Sequence, residues 1–346
     1  MERDINFGEI EEVLGRILGE SMGFEDMVEQ MLTNGRVLSP GKWMELLGNV
    51  LITQLKNHGQ TIGHLLLLII SAAVLATIAK AFRNRQISDM GFYMIYLLLF
   101  LIMMRSFGTC YTLTEKVIAD LIDFMKVLMP AYLMAAAMGS YRTSAVVYYE
   151  GFLLLIYHLQ KAVAVFLLPG IRCYVLLSML GHLGKEDFLS RGKEGLKKLL
   201  LFLMKGMIGV TAGMQMIQGM LTPAVDEFKQ SAISKGLSSL GSIGNLMGNV
   251  TDVAIGSGML LKNGIGVAAA ILVVVICLVP VVQTGCYALF YQLLAAAAEP
   301  ISDKRLTKAI GQMGDGIGLL VRLLFSVCTI FLLTIAIICV TTGGMK

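Results

Sequence analysis

Apolar residues fall in long unbroken stretches along this chain, separated by short polar clusters. Stretches at 62–79, 90–113, 196–221, 264–282 and 317–340 are rich in Leu, Ala, Met and Ile. A helix needs about 20 mostly apolar residues to cross a hydrocarbon core. None alternates as barrel strands do, and backbone amides in lipid must bond within their own segment. The pattern therefore predicts an all-α, polytopic helical membrane protein with about 6–9 membrane segments.

Residues 1–59 read differently. Asn6 and Glu9 have capping-box spacing, and Ile10, Val13, Leu14, Ile17 and Leu18 mark one helical face. Residues 24–32 suggest a second short helix. Ser39 and Pro40 can start a third, with Trp43, Leu46, Leu47, Val50, Leu51 and Leu55 on one face. We read 1–59 as a short amphipathic helical extramembrane segment. The residues from Met1 to Glu12 hold neither a basic region nor an apolar one, so no secretory signal is read there.

Two groups of spans follow, at 60–221 and 264–346. The turn with Lys80, Arg83 and Arg85, and the cluster Lys185, Arg191, Lys193, Lys197 and Lys198, are expected on the cytoplasmic side. The N-terminal segment then lies on the non-cytoplasmic side. An even number of crossings must separate the two basic loops. Four fit: 90–113, 127–138, and two arms of a hairpin turning at Gln160 and Lys161. Residues 115–129, with Asp120, Asp123 and Lys126, read as an amphipathic or pore-facing helix leading to Pro130. Residues 222–263 are rich in Gly, Ser and Asn but keep a regular spacing of Leu237, Leu240, Ile243, Leu246, Met247 and Val250. They read as a helical, re-entrant or interfacial segment. Residues 286–298 form a short helix ended by Glu299-Pro300. Counting crossings places the loop of Asp303, Lys304, Arg305 and Lys308 outside, although its charges favour the inside.

Composition agrees with a lipid solvent. Hydrophobic residues make up 56% and charged residues 15% of 346, against about 25% charged in soluble domains. The net charge of +4 gives no reason to expect a nucleic-acid partner. The six cysteines lie in or beside apolar runs without CxxC pairs and read as small buried hydrophobes. Gly184-Lys185 and Gly192-Lys193 are each followed by Glu, so neither is a phosphate loop. HExxH and GxSxG are absent, and His58, His64, His158 and His182 lack metal-ligand spacing. No catalytic residue, cofactor or metal is expected, and no enzyme.

Charges inside apolar runs carry more information, since each costs about 2.5–3.5 kcal/mol at the bilayer centre. Glu150, Arg105, Arg172, Lys205 and Arg322 are the candidate intramembrane polar residues. Either Glu150 pairs with one cation while the others snorkel, or they line a polar path. Gly209 with Gly213, Gly244 with Gly248, and Gly314 with Gly318 form GxxxG steps and are candidate helix-packing positions, within one chain or in a homo-oligomer.

The stretch Leu260-Leu261-Lys262-Asn263-Gly264-Ile265-Gly266, the apolar run ending at Pro280, and Ala298-Glu299-Pro300-Ile301-Ser302-Asp303-Lys304-Arg305 before a final span resemble the stage III sporulation protein AE family. The resemblance covers most of the chain and is strongest from Gly236 onward. It implies a non-enzymatic, multi-pass subunit of a channel or secretion-like complex joining mother cell and forespore in endospore-forming bacteria. Its place would be the mother-cell membrane around the forespore, beside other stage III subunits and a separate ATPase (stage III sporulation protein AA). Two features depart from the family. Its members begin with a cleavable leader. They also carry an Ile-Pro-like step where this chain has Gly241-Ser242-Ile243-Gly244. The alternative reading is a self-sufficient permease for a small solute or ion, although no inverted repeat is visible. An intramembrane enzyme ranks last, because no nucleophile and base are paired by any motif.

Overall fold

The structure, a computed structural model, describes residues 8–18, 28, 63, 85–138, 142–181, 190–238, 242–300 and 304–341. The expected span at 62–79 and the helices expected at 24–32 and after Ser39 lie outside the described residues, apart from Val28 and Gly63.

All described secondary structure is helical: α1 (Gly8–Leu18), α2 (Arg85–Met138), α3 (Arg142–Lys161), a π-helical stretch (Ala162–Leu167), α4 (Leu168–Leu180), α5 (Ser190–Ser238), α6 (Ser242–Ala298) and α7 (Lys304–Thr341). α1 packs on α2 and buries Ile10 and Leu14, two of the five positions expected on its apolar face. Five stretches are long and apolar enough to cross a membrane: Met90–Ala135, Glu150–Leu180, Arg191–Ile217, Gly264–Ala298 and Lys304–Cys339.

Three expected breaks are continuous helix. Residues 90–113 and 127–138 belong to one 54-residue helix, α2, which carries Pro130 inside it. The stretch 115–129 is helical as expected, but it joins its neighbours in one helix, and its polar residues Asp120, Asp123 and Lys126 lie within it. No hairpin turns at Gln160 and Lys161 either. The chain stays helical from α3 into α4 through the π-helical stretch, where the Leu168 N–H donates to the Val163 carbonyl five residues back. Pro169 follows directly. A proline lacks the N–H and its ring crowds the carbonyl four residues earlier, so a wider turn lets the helix pass it. Lastly, 264–282 and 286–298 are both parts of α6, with Pro280 inside it. Thr284 Oγ1 donates to the Pro280 carbonyl at 2.7 Å. The Glu299-Pro300 stop stands as expected, because α6 ends at Ala298. The Gly-rich stretch 222–263 is helical wherever it is described, divided between α5 and α6.

Contacts at the two ends fix the helix directions. At one end the Tyr96 hydroxyl of α2 donates to the Met179 carbonyl of α4, and Arg305 of α7 sits 3.9 Å from the Phe92 ring centroid. At the same end Lys197 of α5 pairs with Asp315 of α7 at 2.9 Å. At the other end Tyr132 of α2 donates to Cys339 Sγ of α7 at 3.4 Å. There Gln215 Nε2 of α5 donates to Thr334 Oγ1 of α7 at 2.6 Å. The five spans therefore alternate in direction, with α3, the π-helical stretch and α4 forming a single crossing. α5 and α7 run side by side in the same direction. Between their two contacts α5 advances 18 residues and α7 advances 19, about 27 Å of helix.

α6 and α7 form the tightest pair. Gly314 packs against Ala288, Tyr291 and Gln292, and Gly266 against Cys339 and Tyr132. From Gly266 to Tyr291 and from Gly314 to Cys339 is 25 residues each, so the antiparallel register holds for about 38 Å and passes Pro280 unbroken. The largest fully buried side chains include Tyr96, Phe107, Phe124 and Phe331, which join α2 and α7 in one apolar core.

Candidate functional site: the outer face of α2

α2 buries one face throughout its length, and its other face changes character at Arg105. Before Arg105 the exposed positions are Met90, Tyr93, Met94, Leu97, Leu98 and Leu101. From Arg105 to Lys126 they are Arg105, Thr109, Thr112, Glu115, Lys116, Ala119, Asp123 and Lys126. Seven of these eight are polar. The spacing 105, 109, 112, 116, 119, 123, 126 alternates steps of four and three, which keeps the residues in one straight stripe along a helix. The stripe covers 21 residue steps, about 31 Å, close to the roughly 30 Å of a hydrocarbon core.

The stripe is internally ordered. Thr109 Oγ1 donates to the Arg105 carbonyl at 3.3 Å, and Thr112 Oγ1 to the Gly108 and Thr109 carbonyls at 3.1 Å each. Lys126 lies 3.6 Å from Asp123. Asp120 is half-buried and flanks the stripe. The exposed stripe holds three cations and two carboxylates, so it is nearly balanced in charge. The sequence signalled its upper part through Asp120, Asp123 and Lys126. Its lower part was missed because Thr109 and Thr112 sit in a run that reads as apolar; the four-three spacing from Arg105 was the available sign.

The other candidate charges do not meet. Glu150, Arg105, Arg172, Lys205 and Arg322 are all exposed on the outside of the bundle. Glu150 makes no ion pair with any described residue. Arg172 lies 6.0 Å from the Tyr111 ring centroid. Arg105 and Arg172 lie nearer Phe92 and Met179, Lys205 and Arg322 lie near mid-length between the end contacts of α5 and α7, and Glu150 lies at the opposite end beside Gly151. The glycine candidates divide. Gly314 is tightly packed, whereas a Cβ at Gly209, Gly213 or Gly318 would meet no described atom within 4 Å. The surroundings of Gly244 and Gly248 lie outside the described residues.

Inside the bundle, polar groups are few. Core hydroxyls of Thr114, Thr284 and Thr334 bond to carbonyls of their own helices. Besides the Tyr96 hydroxyl, Gln215 bonds across helices: its amide meets Thr334, while its Oε1 has no partner among the described residues. A cavity of about 10 Å³ lies there, between Gly151, Phe152 and Leu155 of α3 and Met214, Gln215, Thr334 and Ile338. Among the described residues no group of three or more His, Cys, Asp or Glu could hold a metal ion.

Stage III sporulation protein AE of Bacillus subtilis (strain 168) is 20% identical over 333 residues, covering 96% of this chain and 82% of that protein. No solved structure matches the chain. The family described as Stage III sporulation protein AE (spore_III_AE) matches residues 22–342, and the chain belongs to that family.

Proposed function

We propose that the chain is a non-enzymatic integral membrane subunit of the sporulation channel or secretion-like complex that links mother cell and forespore. The observation that carries this reading is the direction of the α2 stripe. A self-sufficient permease keeps its polar path between its own helices. Here the described interior is largely apolar, and the continuous polar face lies on the outer side of the described helices. The partners fitting the family are the remaining stage III sporulation subunits, with a separate ATPase supplying energy, in a lipid bilayer and without nucleic acid. Gly209, Gly213, Gly244, Gly248 and Gly318 are then candidates for contacts between chains.

The same reading gives a location and an orientation. The chain lies in the mother-cell membrane around the forespore. The end of α4 and the starts of α2, α5 and α7, with Arg191, Lys193, Lys197, Lys198, Lys304, Arg305 and Lys308, share one end of the bundle, and that end faces the cytoplasm. Merging 264–282 with 286–298 supports this, because it removes the crossing that had set the last loop against its charges. With 62–79 as a further crossing, residues 1–59 lie on the non-cytoplasmic side.

Deleting the gene in its host is expected to arrest spore development after engulfment, and a tagged chain from sporulating cells should co-purify other stage III subunits. Normal spores from the deletion strain would reject the proposal.

A further inference from the structure

We infer that Cys277 and Cys328 form an oxidation site inside the bundle, at which a lipid-soluble quinone joins α6 to α7 through a disulfide. The site stands apart from the sporulation role proposed above.

Register brings the two thiols together. Gly266 of α6 packs against Cys339 of α7, and Tyr291 of α6 against Gly314 of α7. Eleven residues onward from Gly266 and eleven back from Cys339 lie Cys277 and Cys328. Fourteen residues back from Tyr291 and fourteen onward from Gly314 lie the same two residues. Eleven residues make about three helical turns and fourteen about four, so each cysteine shares a face with both anchors of its own helix. The side chains agree, because the Cys277 and Cys328 thiols share a hydrogen bond. Cys339 instead meets Gly266 and Tyr132, and Cys173 is exposed on α4.

This opposition is what a disulfide needs, since cysteines whose Cβ vectors diverge cannot be bridged without moving the backbone. An isolated buried thiol is inert. A second thiol in contact with it supplies the sulfur to which an oxidised cysteine can bond.

Burial selects the oxidant. Cys277 is 3% exposed and Cys328 9%, and they lie within the spans Gly264–Ala298 and Lys304–Cys339. Glutathione and thioredoxin, which keep aqueous thiols reduced, are too polar to follow them into a membrane. A quinone dissolves in hydrocarbon, and quinones accept the electrons of a bacterial disulfide-forming system. The step balances. Two S–H bonds break and one S–S bond forms, while two electrons and two protons pass to the quinone and convert it to quinol. The new bond lies one turn before Pro280, whose missing N–H deprives the Ile276 carbonyl of its helical partner. It ties α6 to α7 beside that interruption.

Mass spectrometry tests the site on the full-length chain in phospholipid vesicles. A short-chain ubiquinone is added under argon, free thiols are blocked with N-ethylmaleimide in denaturant, and the protein is digested. A peptide joining Cys277 to Cys328 is expected, about 2 Da lighter than its two parts, with about one quinol formed per chain. The remaining cysteines should all carry the blocking group, and dithiothreitol should separate the joined peptides. Cys277→Ala and Cys328→Ala should each bring quinol formation down to that of empty vesicles, whereas Cys173→Ala should leave it unchanged. Should an alanine variant fail to fold, the joined peptide in the unaltered chain decides alone.

Two outcomes would overturn the inference. Six free thiols after quinone treatment would leave the pair as packing only. A bond through Cys173 or any other cysteine in place of this one would show that the pair is not the oxidised site. Neither touches the sporulation role, which the deletion strain tests separately.

Discussion

The α6–α7 hairpin and α5 are built from the same kinds of residue, Gly among Leu, Ile, Met and Val, yet they pack in opposite ways. Half of the most apolar window of α6 and of α7 is buried inside the bundle, against 22% for α5. In the hairpin, Gly266 and Gly314 are packed by neighbouring helices, although Gly318 is open. In α5, Gly209 and Gly213 receive nothing described. Lipid tails are as apolar as leucine, so burial alone gives helices little reason to associate in a membrane. Van der Waals fit and buried hydrogen bonds must hold them. α6 and α7 have the fit over about 38 Å. α5 meets α7 through two polar contacts, Lys197 with Asp315 and Gln215 with Thr334, and buries Leu200 and Met204 in the core. The hairpin is the fixed frame, and α5 is the helix whose outer face is free to meet something else.

The largest expected effect breaks the frame. A Cβ at Gly314 would lie 3.0 Å from the Ala288 carbonyl oxygen, 3.2 Å from Tyr291 Cβ and 3.1 Å from Gln292 Cγ. The first two atoms belong to backbone or sit next to it and cannot swing away. Gly314→Ala is expected to destabilise the bundle by about 1–3 kcal/mol, with Leu worse. Thermal unfolding in detergent, followed by far-UV circular dichroism, measures it. Unchanged unfolding for Gly314→Leu would mean that α6 and α7 do not touch in this register.

The next effect concerns the α5–α7 junction. Thr334→Val removes the partner of the buried Gln215 amide and should cost about 0.6–1.7 kcal/mol, the range for hydrogen bonds between membrane helices. Adding Gln215→Leu should restore much of the loss, because pairing two apolar groups removes the unsatisfied one. Additive losses in that double variant would argue that the two side chains do not meet. At the other junction, Asp315→Asn should cost less, about 0–1 kcal/mol, since the ion pair is partly exposed to solvent. Its effect should shrink as salt is raised.

How much of this was legible in the sequence depends on what each residue type can signal alone. The apolar runs gave the helical class because spanning length is a property of a single segment. Glu299-Pro300 correctly ended α6. Continuity was harder. Pro130, Pro280 and the pair Gln160 and Lys161 read as boundaries, but a proline can sit inside a long helix when a π turn or close neighbours absorb it, and an exposed polar pair leaves the backbone unaffected. Facing was hardest. GxxxG spacing is the same for Gly209 with Gly213 as for Gly314 with Gly318, and only the neighbouring helices distinguish them. Glu150 and the four cations likewise looked like partners in one dimension, yet all are exposed and Glu150 pairs with no described cation.

The smallest expected effect on folding is the one that sharpens the contrast most. Gly209→Ala and Gly213→Ala add a methyl group into space that no described atom occupies. Alanine is a better helix former than glycine by about 0.8–1.0 kcal/mol, so the isolated chain should unfold no more easily than before, and slightly less so. If the face is simply wet by lipid, larger residues change nothing further. If it is a contact between chains, Gly209→Leu should leave monomer unfolding intact while reducing recovery of the assembled complex from sporulating cells. Size-exclusion profiles of the complex and unfolding curves of the chain, measured on one variant, separate the two. A loss of both together would show instead that α5 is packed within its own bundle, and the distinction between frame and open helix would fail.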